Sequence, residues 1–317
     1  MKPEILISGD ATPRMIDRLS SEFTLHTSPG PDRVMAFLET LGPSISGVMS
    51  NGHGGVAATV MDAMPNLKII SGYGVGYDTI DVNAALQRGI TVSHTPGVLN
   101  DEVANTAIML WLAVSRRVIG ADAYVRAGRW AREGFYPLTR SVQGRRVGIL
   151  GLGRIGQAIA DRLAVFDAEI LYHARSEKPV AYRYYGDLTE MAQNCDVLIC
   201  ITPGGAGTHH IVNTEVLGAL GPEGILINVS RGSVVDETAM VSALADGRLG
   251  GAGLDVFEDE PNVPKPLFDM DNVVLQPHVG SGTVETRQAM GDLTCDNLIH
   301  YFKDGQALTP VPECADL

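Results

Sequence analysis

The sequence predicts an α/β protein of two domains, each built on a doubly wound parallel sheet. Three observations lead to this prediction. Short runs rich in β-branched residues alternate with helical patterns along the chain, which is typical of parallel sheets. The length of 317 residues corresponds to roughly two domains. One strand-like run is followed by glycines at positions 151, 153 and 156 and then by a helical pattern, as in domains that bind dinucleotides.

The first predicted domain alternates short strands with short helices. We predict strands at residues 4–8, 23–26, 45–50, 68–71 and 90–93. We predict helices at residues 13–19, 32–41 and 56–64. Thr12 is the expected N-cap of the first helix, because its hydroxyl can accept a hydrogen bond from an unpaired amide of the first turn. This alternation predicts a parallel sheet with helices on both faces.

Glycine-rich loops follow two of these strands, at residues 51–55 and 72–78. Open α/β sheets bind ligands beyond the carboxyl ends of their strands. The amides around Gly74 and Gly76 are therefore candidates for binding an anion. A role limited to turning the chain explains the same glycines equally well, so both interpretations stay open on the residues alone.

The second predicted domain begins with a long helix from residue 100 or 101 to about residue 118. A polar, irregular stretch over residues 128–144 follows, and it contains Trp130, Phe135 and Tyr136. We predict strands at residues 147–150, 169–172, 196–202, 225–230, 254–257 and 273–276. The last helix, at about residues 283–302, lies outside this series, so we expect it to return to the first domain. The predicted domains are residues 1–98 with 284–317, and residues 99–283.

Composition and charge narrow the class of protein. The net charge of −13 and the lack of a long basic run argue against nucleic acid and membrane surfaces as partners. The four cysteines lack the spacing of a zinc site and are expected to be reduced, as in a cytoplasmic protein. We recognise no signal-peptide pattern and no apolar run of membrane-spanning length. No metal site is expected.

The three glycines after the predicted strand have separate physical reasons. Gly151 permits a tight turn, Gly153 lets the backbone approach a pyrophosphate, and Gly156 lets helix and strand pack closely. The first turn of the following helix, with Arg154 and Ile155, presents unpaired amides and the positive end of the helix dipole to phosphates. The order strand, glycine turn and helix predicts a dinucleotide-binding Rossmann domain.

Ionisable side chains follow three of the predicted strands, namely Arg231, Glu260 and His278. Reduction of a keto acid by a nicotinamide requires a group that binds the anion, a proton donor that titrates near neutrality and a partner for that donor. Arginine, histidine and glutamate are suited to these roles in turn. Each also has an ordinary alternative: a solvated loop arginine, a core histidine and an exposed acidic turn.

Four segments carry a family resemblance: residues 148–156, 228–237, 253–261 and 276–280. In this order they resemble the D-isomer-specific 2-hydroxyacid dehydrogenase family, in particular its glyoxylate/hydroxypyruvate reductases. The resemblance covers essentially the whole chain. It implies a larger Rossmann domain that binds NAD(P), a smaller flavodoxin-like domain that binds the substrate, and a homodimer.

The resemblance also implies roles for single residues. Arg231 holds the substrate carboxylate and carbonyl, His278 is the acid/base, and Glu260 orients His278 and favours its charged form. Val75 and Gly76 offer amides to the carboxylate. The implied substrate-binding set is Asn51, Gly52, Tyr73, Val75, Gly76, Arg231 and His278, with His53 and residues 130–136 as further walls. The implied cofactor-binding set is Gly151, Gly153, Arg154, Ile155, Gly156, Ala174, Arg175, Ser176, Thr202, Pro203, Thr208, Val229, Asp255 (on the nicotinamide side) and Gly280.

Two places depart from the family pattern. The segment from Thr202 to His210 corresponds to the family's wall near the adenine ribose, but its residues 204–207 read Gly-Gly-Ala-Gly and are looser than usual. Asp167 stands where the family commonly has glycine. A backbone with positive φ is expected to be less comfortable for aspartate there.

The end of the second strand of the dinucleotide domain indicates the choice of cofactor. NAD enzymes place an acid there, about 20 residues past the glycines, to hold the ribose hydroxyls. In this chain the position falls at Ala174. Arg175 can fork onto a 2′-phosphate, and Ser176 and His173 can add hydrogen-bond donors. The sequence therefore predicts NADP as the cofactor, with NAD as the weaker alternative.

The expected function is NADPH-dependent reduction of a small 2-oxo acid to the D-2-hydroxy acid. Glyoxylate, hydroxypyruvate and phenylpyruvate types of substrate all stay open. One alternative is another dehydrogenase on the same fold, such as a formate or phosphoglycerate dehydrogenase. The other is a dinucleotide-sensing binding protein, which would bind the nicotinamide without turning over a keto acid.

Overall fold

The computed structural model describes residues 2–51, 54–315 and 317. The chain divides into two compact units, Met1–Leu99 with Thr283–Leu317 and Asn100–Gly282. Each unit is organised around one sheet in which all described strand pairs are parallel. The prediction of two parallel-sheet α/β domains is confirmed.

The described strands alternate with helices in chain order. The strands are β1 (Glu4–Ser8), β2 (Thr24–Thr27), β3 (Ile45–Asn51), β4 (Ile69–Tyr73), β5 (Thr91–Ser93), β6 (Arg146–Leu150), β7 (Glu169–His173), β8 (Arg183–Tyr185), β9 (Val197–Cys200), β10 (Ile225–Asn228), β11 (Gly251–Leu254) and β12 (Val273–Leu275). The α-helices are α1 (Pro13–Glu22), α2 (Val34–Leu41), α3 (Ala58–Asp62), α4 (Val82–Gln87), α5 (Asn100–Ser115), α6 (Val118–Arg126), α7 (Arg129–Glu133), α8 (Arg154–Leu163), α9 (Leu188–Asn194), α10 (Thr214–Leu220), α11 (Glu237–Ala245) and α12 (Val284–Asp304).

The strand orders identify the two sheets. The first unit has the order β2-β1-β3-β4-β5, which is the flavodoxin-like arrangement. The second unit has the order β12-β11-β10-β9-β6-β7-β8. The order in which its strands follow one another therefore reverses between β6 and β9, as in Rossmann sheets. Open α/β sheets bind ligands at such a switch point.

Burial on both faces explains why the strands of the first unit have apolar residues at consecutive positions. Val48 and Ile70 pack into the core on one face of the sheet. Met49 and Ile69, their neighbours in sequence, pack into the core on the other face. The helix α12 covers this second face, where Leu298 joins the same cluster. The C-terminal helix thus completes the core of the first unit.

The local predictions for the strands are confirmed within two residues at each end, with one exception. The predicted N-cap is also confirmed, because the Thr12 hydroxyl accepts a hydrogen bond from the Met15 amide at 3.3 Å. The strand predicted at residues 254–257 is wrong, since β11 lies at Gly251–Leu254. The small residues of β11 hide the apolar pattern expected of a strand, but the packing of the strand requires them. A side chain at Gly253 would approach Leu110 of α5 within 2.9 Å.

The helix predicted to run to about residue 118 ends earlier, at Ser115. Arg117 follows with a left-handed backbone (φ 46°), and a new helix, α6, begins at the next residue. The stretch predicted as irregular contains the short helix α7. The elements α4, β8, α9, α10 and α11 were not predicted. The six residues of α4 and the three of β8 are too few for a periodic signal.

Asp167 has φ 52° and ψ 34° and ends the turn that follows α8. The positive φ expected at this position is confirmed. Aspartate tolerates this conformation better than most residues because its side chain is short and polar. The side chain is also exposed, so it meets no steric obstacle.

All four cysteines are buried and none forms a disulfide. Burial raises the pKa of the Cys195 thiol to about 12, so this thiol is unreactive near neutral pH. Within residues 2–51, 54–315 and 317, no helix combines the length and the hydrophobicity that crossing a bilayer requires.

Candidate active site

The glycine turn between β6 and α8 has the shape that a bound dinucleotide requires. Gly151 has φ 104°, and its amide donates to the carbonyl of His173 at 2.9 Å. A Cβ on Gly156 would overlap the carbonyl of Gly151, so helix and strand meet closely there. Gly153 has no heavy atom within 4 Å of the place where a Cβ would stand. Because this space opens at the N-terminus of α8, the turn fits a pyrophosphate.

The residues predicted to face the adenine ribose follow β7. Ala174 is half-buried, and its carbonyl accepts from the Tyr184 hydroxyl at 3.2 Å. Arg175 and Ser176 are exposed. Among the described residues, no carboxylate pairs with Arg175. His173 is less available than predicted, because its Nδ1 lies 3.0 Å from the carbonyl of Tyr185.

The loop after β9, predicted as a wall of the ribose site, is held by its own hydrogen bonds. The Thr208 hydroxyl donates to the carbonyl of Pro203 at 2.7 Å, and the Thr208 amide donates to the carbonyl of Gly205 at 3.0 Å. Gly205 has φ 113°, a value that favours glycine. The unusual glycines therefore serve a defined turn. Thr202 stands at the start of this loop, and Val229 is buried just past β10.

Arg231 lies three residues beyond the end of β10, on a tightly fixed backbone. The Asn228 side chain donates to the carbonyl of Arg231 at 2.9 Å and accepts from the Ser230 hydroxyl at 2.7 Å. The next residue, Gly232, packs so closely on the carbonyl of Phe257 that a Cβ has no room. The backbone of Arg231 is therefore set by buried contacts, and its guanidinium donates to the carbonyl of Ser230 at 2.8 Å.

His278 follows β12 on a loop that Asp255 anchors. The His278 amide donates to the Asp255 carbonyl at 2.8 Å. The Asp255 carboxylate accepts from the amides of Val279 and Gly280 at 2.7 and 2.8 Å. Asp255 is 2% exposed, and burial raises the pKa of its carboxyl, an effect that the two amide hydrogen bonds oppose. This anchoring role of Asp255 was not predicted, although a lone acid after an apolar strand was a signal for it.

Glu260 and His278 are in contact, as the family resemblance implies. Glu260 Oε2 lies 2.7 Å from His278 Nδ1. Glu260 Oε1 accepts from the amide of Phe257 at 3.1 Å, which fixes the carboxylate. The backbone of His278 is left-handed, with φ 53°, and such conformations cluster at functional sites. The second unit thus holds a histidine whose ring orientation is set by a carboxylate.

The predicted substrate-binding residues of the first unit lie at the carboxyl ends of β3 and β4. Asn51 ends β3, and its side-chain oxygen accepts from the Gly54 amide at 2.8 Å. Tyr73 ends β4, and its hydroxyl donates to the carbonyl of Arg287 at 3.0 Å. Val75 and Gly76 follow in a half-buried loop, where the carbonyl of Val75 lies 2.9 Å from His94 Nδ1. The predicted contacts Gly52 and His53 lie outside the described residues.

Comparison with known proteins identifies the family. The family described as D-isomer specific 2-hydroxyacid dehydrogenase, NAD binding domain, matches residues 108–280. A hydroxyphenylpyruvate reductase from Plectranthus scutellarioides is 51% identical over 276 residues, which cover 87% of this chain and 88% of that protein. The chain belongs to the D-isomer-specific 2-hydroxyacid dehydrogenase family. The resemblance seen in the sequence is thereby confirmed.

Two further relatives match nearly the whole chain. A 2-ketogluconate reductase from Gluconobacter oxydans is 44% identical over 98% of this chain and 99% of its own length. The crystal structure of an NADPH-dependent glyoxylate/hydroxypyruvate reductase from Sinorhizobium meliloti, in complex with NADP and malonate, has a TM-score of 0.94 and 47% identity, with 99% and 98% of the two chains covered. As a 2-hydroxyacid dehydrogenase, the protein is an NAD(P)-dependent oxidoreductase.

Proposed function

We propose that the protein reduces a small 2-oxo acid to the D-2-hydroxy acid with NADPH as its preferred reductant. The 2.7 Å contact of Glu260 with His278, on the same unit as Arg231 and its fixed backbone, is the observation that carries this proposal. His278 provides a proton donor, Glu260 orients that donor, and Arg231 provides a permanent cation. Relatives named as glyoxylate/hydroxypyruvate and hydroxyphenylpyruvate reductases support the same class of reaction.

The chemistry assigns one step to each side chain. Bound at the glycine turn, the nicotinamide cofactor supplies the hydride. Arg231 holds the substrate carboxylate and stabilises the negative charge that develops on the carbonyl oxygen. His278 donates a proton to that oxygen, and we assign the transfer to Nε2 because Nδ1 faces Glu260. Glu260 fixes the plane of the imidazole and stabilises its positive charge before the transfer.

The side-chain specificity is proposed from the first unit and from the relatives together. We propose that the amides of Val75 and Gly76 bind the substrate carboxylate. We also propose that Tyr73 and Asn51 form the walls around the side chain of the substrate. The relatives reduce 2-oxo acids that range from glyoxylate and hydroxypyruvate to hydroxyphenylpyruvate and 2-ketogluconate, as their names state. A substrate panel that spans these sizes is therefore the informative test.

The test uses the purified full chain with both reduced nicotinamides. Glyoxylate, hydroxypyruvate, phenylpyruvate, hydroxyphenylpyruvate and 2-ketogluconate are offered separately, and the fall in nicotinamide absorbance is followed. Chiral chromatography then assigns the configuration of the product. We expect turnover of at least one of these acids, a D product and a higher kcat/KM with NADPH. Tight binding of NADPH without turnover of any keto acid would favour the binding-protein alternative.

We also propose that the protein forms a homodimer. The stretch from α6 to the start of β6 exposes large apolar side chains, among them Trp130 at 59% and Phe135 at 94%. Apolar side chains of this size are usually covered when they cluster on a surface. A small satellite core is the ordinary alternative, but the exposure of Phe135 argues against it.

A further inference from the structure

Two adjacent histidines meet a glutamate on the second unit, outside the residues assigned to catalysis. His209 and His210 end the loop that follows β9, and Glu258 lies in the turn that follows β11. His210 Nε2 is 2.7 Å from Glu258 Oε1, and His209 Nε2 is 4.0 Å from the same oxygen. The two imidazole rings stack with centroids 3.9 Å apart. One ligand atom from each residue thus lies within 4.8 Å of the others.

The backbone around these three side chains is fixed on both sides. His210 has a left-handed φ of 49°, and its amide donates to the carbonyl of Ser233 at 2.8 Å. The Glu258 amide lies 3.3 Å from the carboxylate of Glu237 and donates to it. Because the backbone is held, convergence of the ligand atoms on one point would come from rotation of the side chains. The side chains retain 57%, 33% and 36% exposure for His209, His210 and Glu258, so an ion can reach them from solvent.

We propose that His209, His210 and Glu258 form a binding site for a divalent transition-metal ion of the Zn²⁺ class. Two imidazole nitrogens and one carboxylate oxygen are a ligand set that Zn²⁺ favours, with water in the fourth position. Mg²⁺ and Ca²⁺ prefer oxygen ligands throughout and are not expected to bind here. Tetrahedral coordination at about 2.0–2.2 Å places ligand atoms roughly 3.3 Å apart. Both Nε2 to Oε1 distances approach that value with small movements in opposite directions.

The electrostatic surroundings favour a cation at this place. The carboxylate of Glu237 lies beside Glu258, whose amide donates to it at 3.3 Å, and Asp259 follows Glu258 in the chain. The net charge of −13 adds a long-range attraction. An ordinary histidine–carboxylate pair explains the contact of His210 alone. It does not explain why a second imidazole stacks on the first with its Nε2 towards the same oxygen.

The chain contains a matched control for that ordinary alternative. His300 Nε2 lies 3.3 Å from Asp304 on α12. Its other ring nitrogen is 2.7 Å from the carbonyl of Gln306, and no second imidazole joins it among the described residues. If a single histidine–carboxylate pair were sufficient to bind Zn²⁺, both places would bind it. The proposal requires that only the cluster with two imidazoles does.

The test is isothermal titration of the purified, chelator-treated full chain with Zn²⁺, in the wild type and in four variants. We expect one site per chain in the wild type and in His300→Ala. We expect His209→Ala, His210→Ala and Glu258→Gln each to weaken binding by at least tenfold, since even outer-sphere partners of metal ligands cost about 10–100-fold. Circular dichroism confirms that each variant is folded, and Glu258→Gln keeps the shape of the side chain.

Two outcomes would overturn the proposal. One is a wild type that does not bind Zn²⁺ at micromolar concentration. The other is binding that all three cluster variants retain unchanged, which would assign the ion to another place such as His278 with Glu260. The readout is metal binding and not turnover. A failure here therefore leaves the proposed reductase function untouched, and a failure of that function leaves this proposal standing.

Discussion

His278 has a left-handed backbone and contacts Glu260. These two features lead to a prediction for single substitutions at the candidate catalytic residues. Substitution His278→Ala or Arg231→Ala should lower kcat/KM for the best 2-oxo acid by roughly 100-fold or more, because each side chain acts on charge that develops in the transition state. Glu260→Gln should change the pH–rate profile as well as the rate, since the imidazole loses its charged partner. Steady-state kinetics over a pH range measures both effects. His300→Ala is the control, and near-wild-type turnover by His278→Ala at neutral pH would remove the histidine from the mechanism.

The proposed cofactor preference leads to a prediction for a single residue. Arg175 is exposed at the end of β7, beside Ala174 at the position where an acid would repel a 2′-phosphate. We expect NADPH to be favoured over NADH by at least about tenfold, because one charge-assisted contact contributes about 1.5–3 kcal/mol. Arg175→Ala should weaken NADPH and leave NADH almost unchanged. Fluorescence titration of both cofactors measures this, with Arg183→Ala, an exposed arginine of the same sheet, as the control. Equal kcat/KM for the two cofactors in the wild type would contradict the assignment.

At the scale of the element, the loop after β12 depends on a buried carboxylate. Asp255→Asn keeps one acceptor oxygen but turns an NH₂ group towards the second amide, so one of the Val279 and Gly280 donors loses its partner. We expect the free energy of unfolding to fall by about 1–3 kcal/mol and kcat to fall because His278 is carried on this loop. Urea denaturation and kinetics on the same protein measure the two effects. Glu260→Gln is the comparison, since it should lower activity with little loss of stability. An Asp255→Asn variant as stable as the wild type would show that the anchor contributes little.

Elements differed in how far the sequence predicted them, and for physical reasons. The strands β1 and β6 and the N-cap of α1 follow local rules of side-chain shape and hydrogen bonding, and they were predicted correctly. The strand β11 was misplaced because its glycines lack the apolar pattern of a strand. Close packing against α5, which is distant in sequence, requires these small residues. The carboxylate of Asp255 was predicted to face the nicotinamide, whereas its contacts with the loop amides depend on tertiary structure. Local structure and local chemistry could thus be predicted from the sequence, whereas these contacts between distant elements could not.

At the scale of the whole molecule, charge is distributed unevenly along the chain. The chain carries a net charge of −13, yet residues 116–146 contain eight arginines and two acidic residues. The same stretch exposes Trp130 and Phe135. A surface that is both apolar and locally basic can approach a second copy of an acidic chain without the repulsion that the rest of its surface would meet. This combination favours self-association through the segment from α6 to β6.

We therefore predict that the protein is a dimer and that either of two substitutions that introduce a charge dissociates it. We expect light scattering at micromolar concentration to give about twice the chain mass of 33.7 kDa for the wild type. Trp130→Glu and Phe135→Glu should each shift the mass towards one chain, because a carboxylate buried in an apolar interface loses its hydration. Phe268→Glu is the matched control, since Phe268 is 62% exposed and lies outside this segment. A single-chain mass for the wild type would exclude the dimer. A dimer that both substitutions leave intact would place the interface on another surface, and the apolar stretch would then require a different explanation.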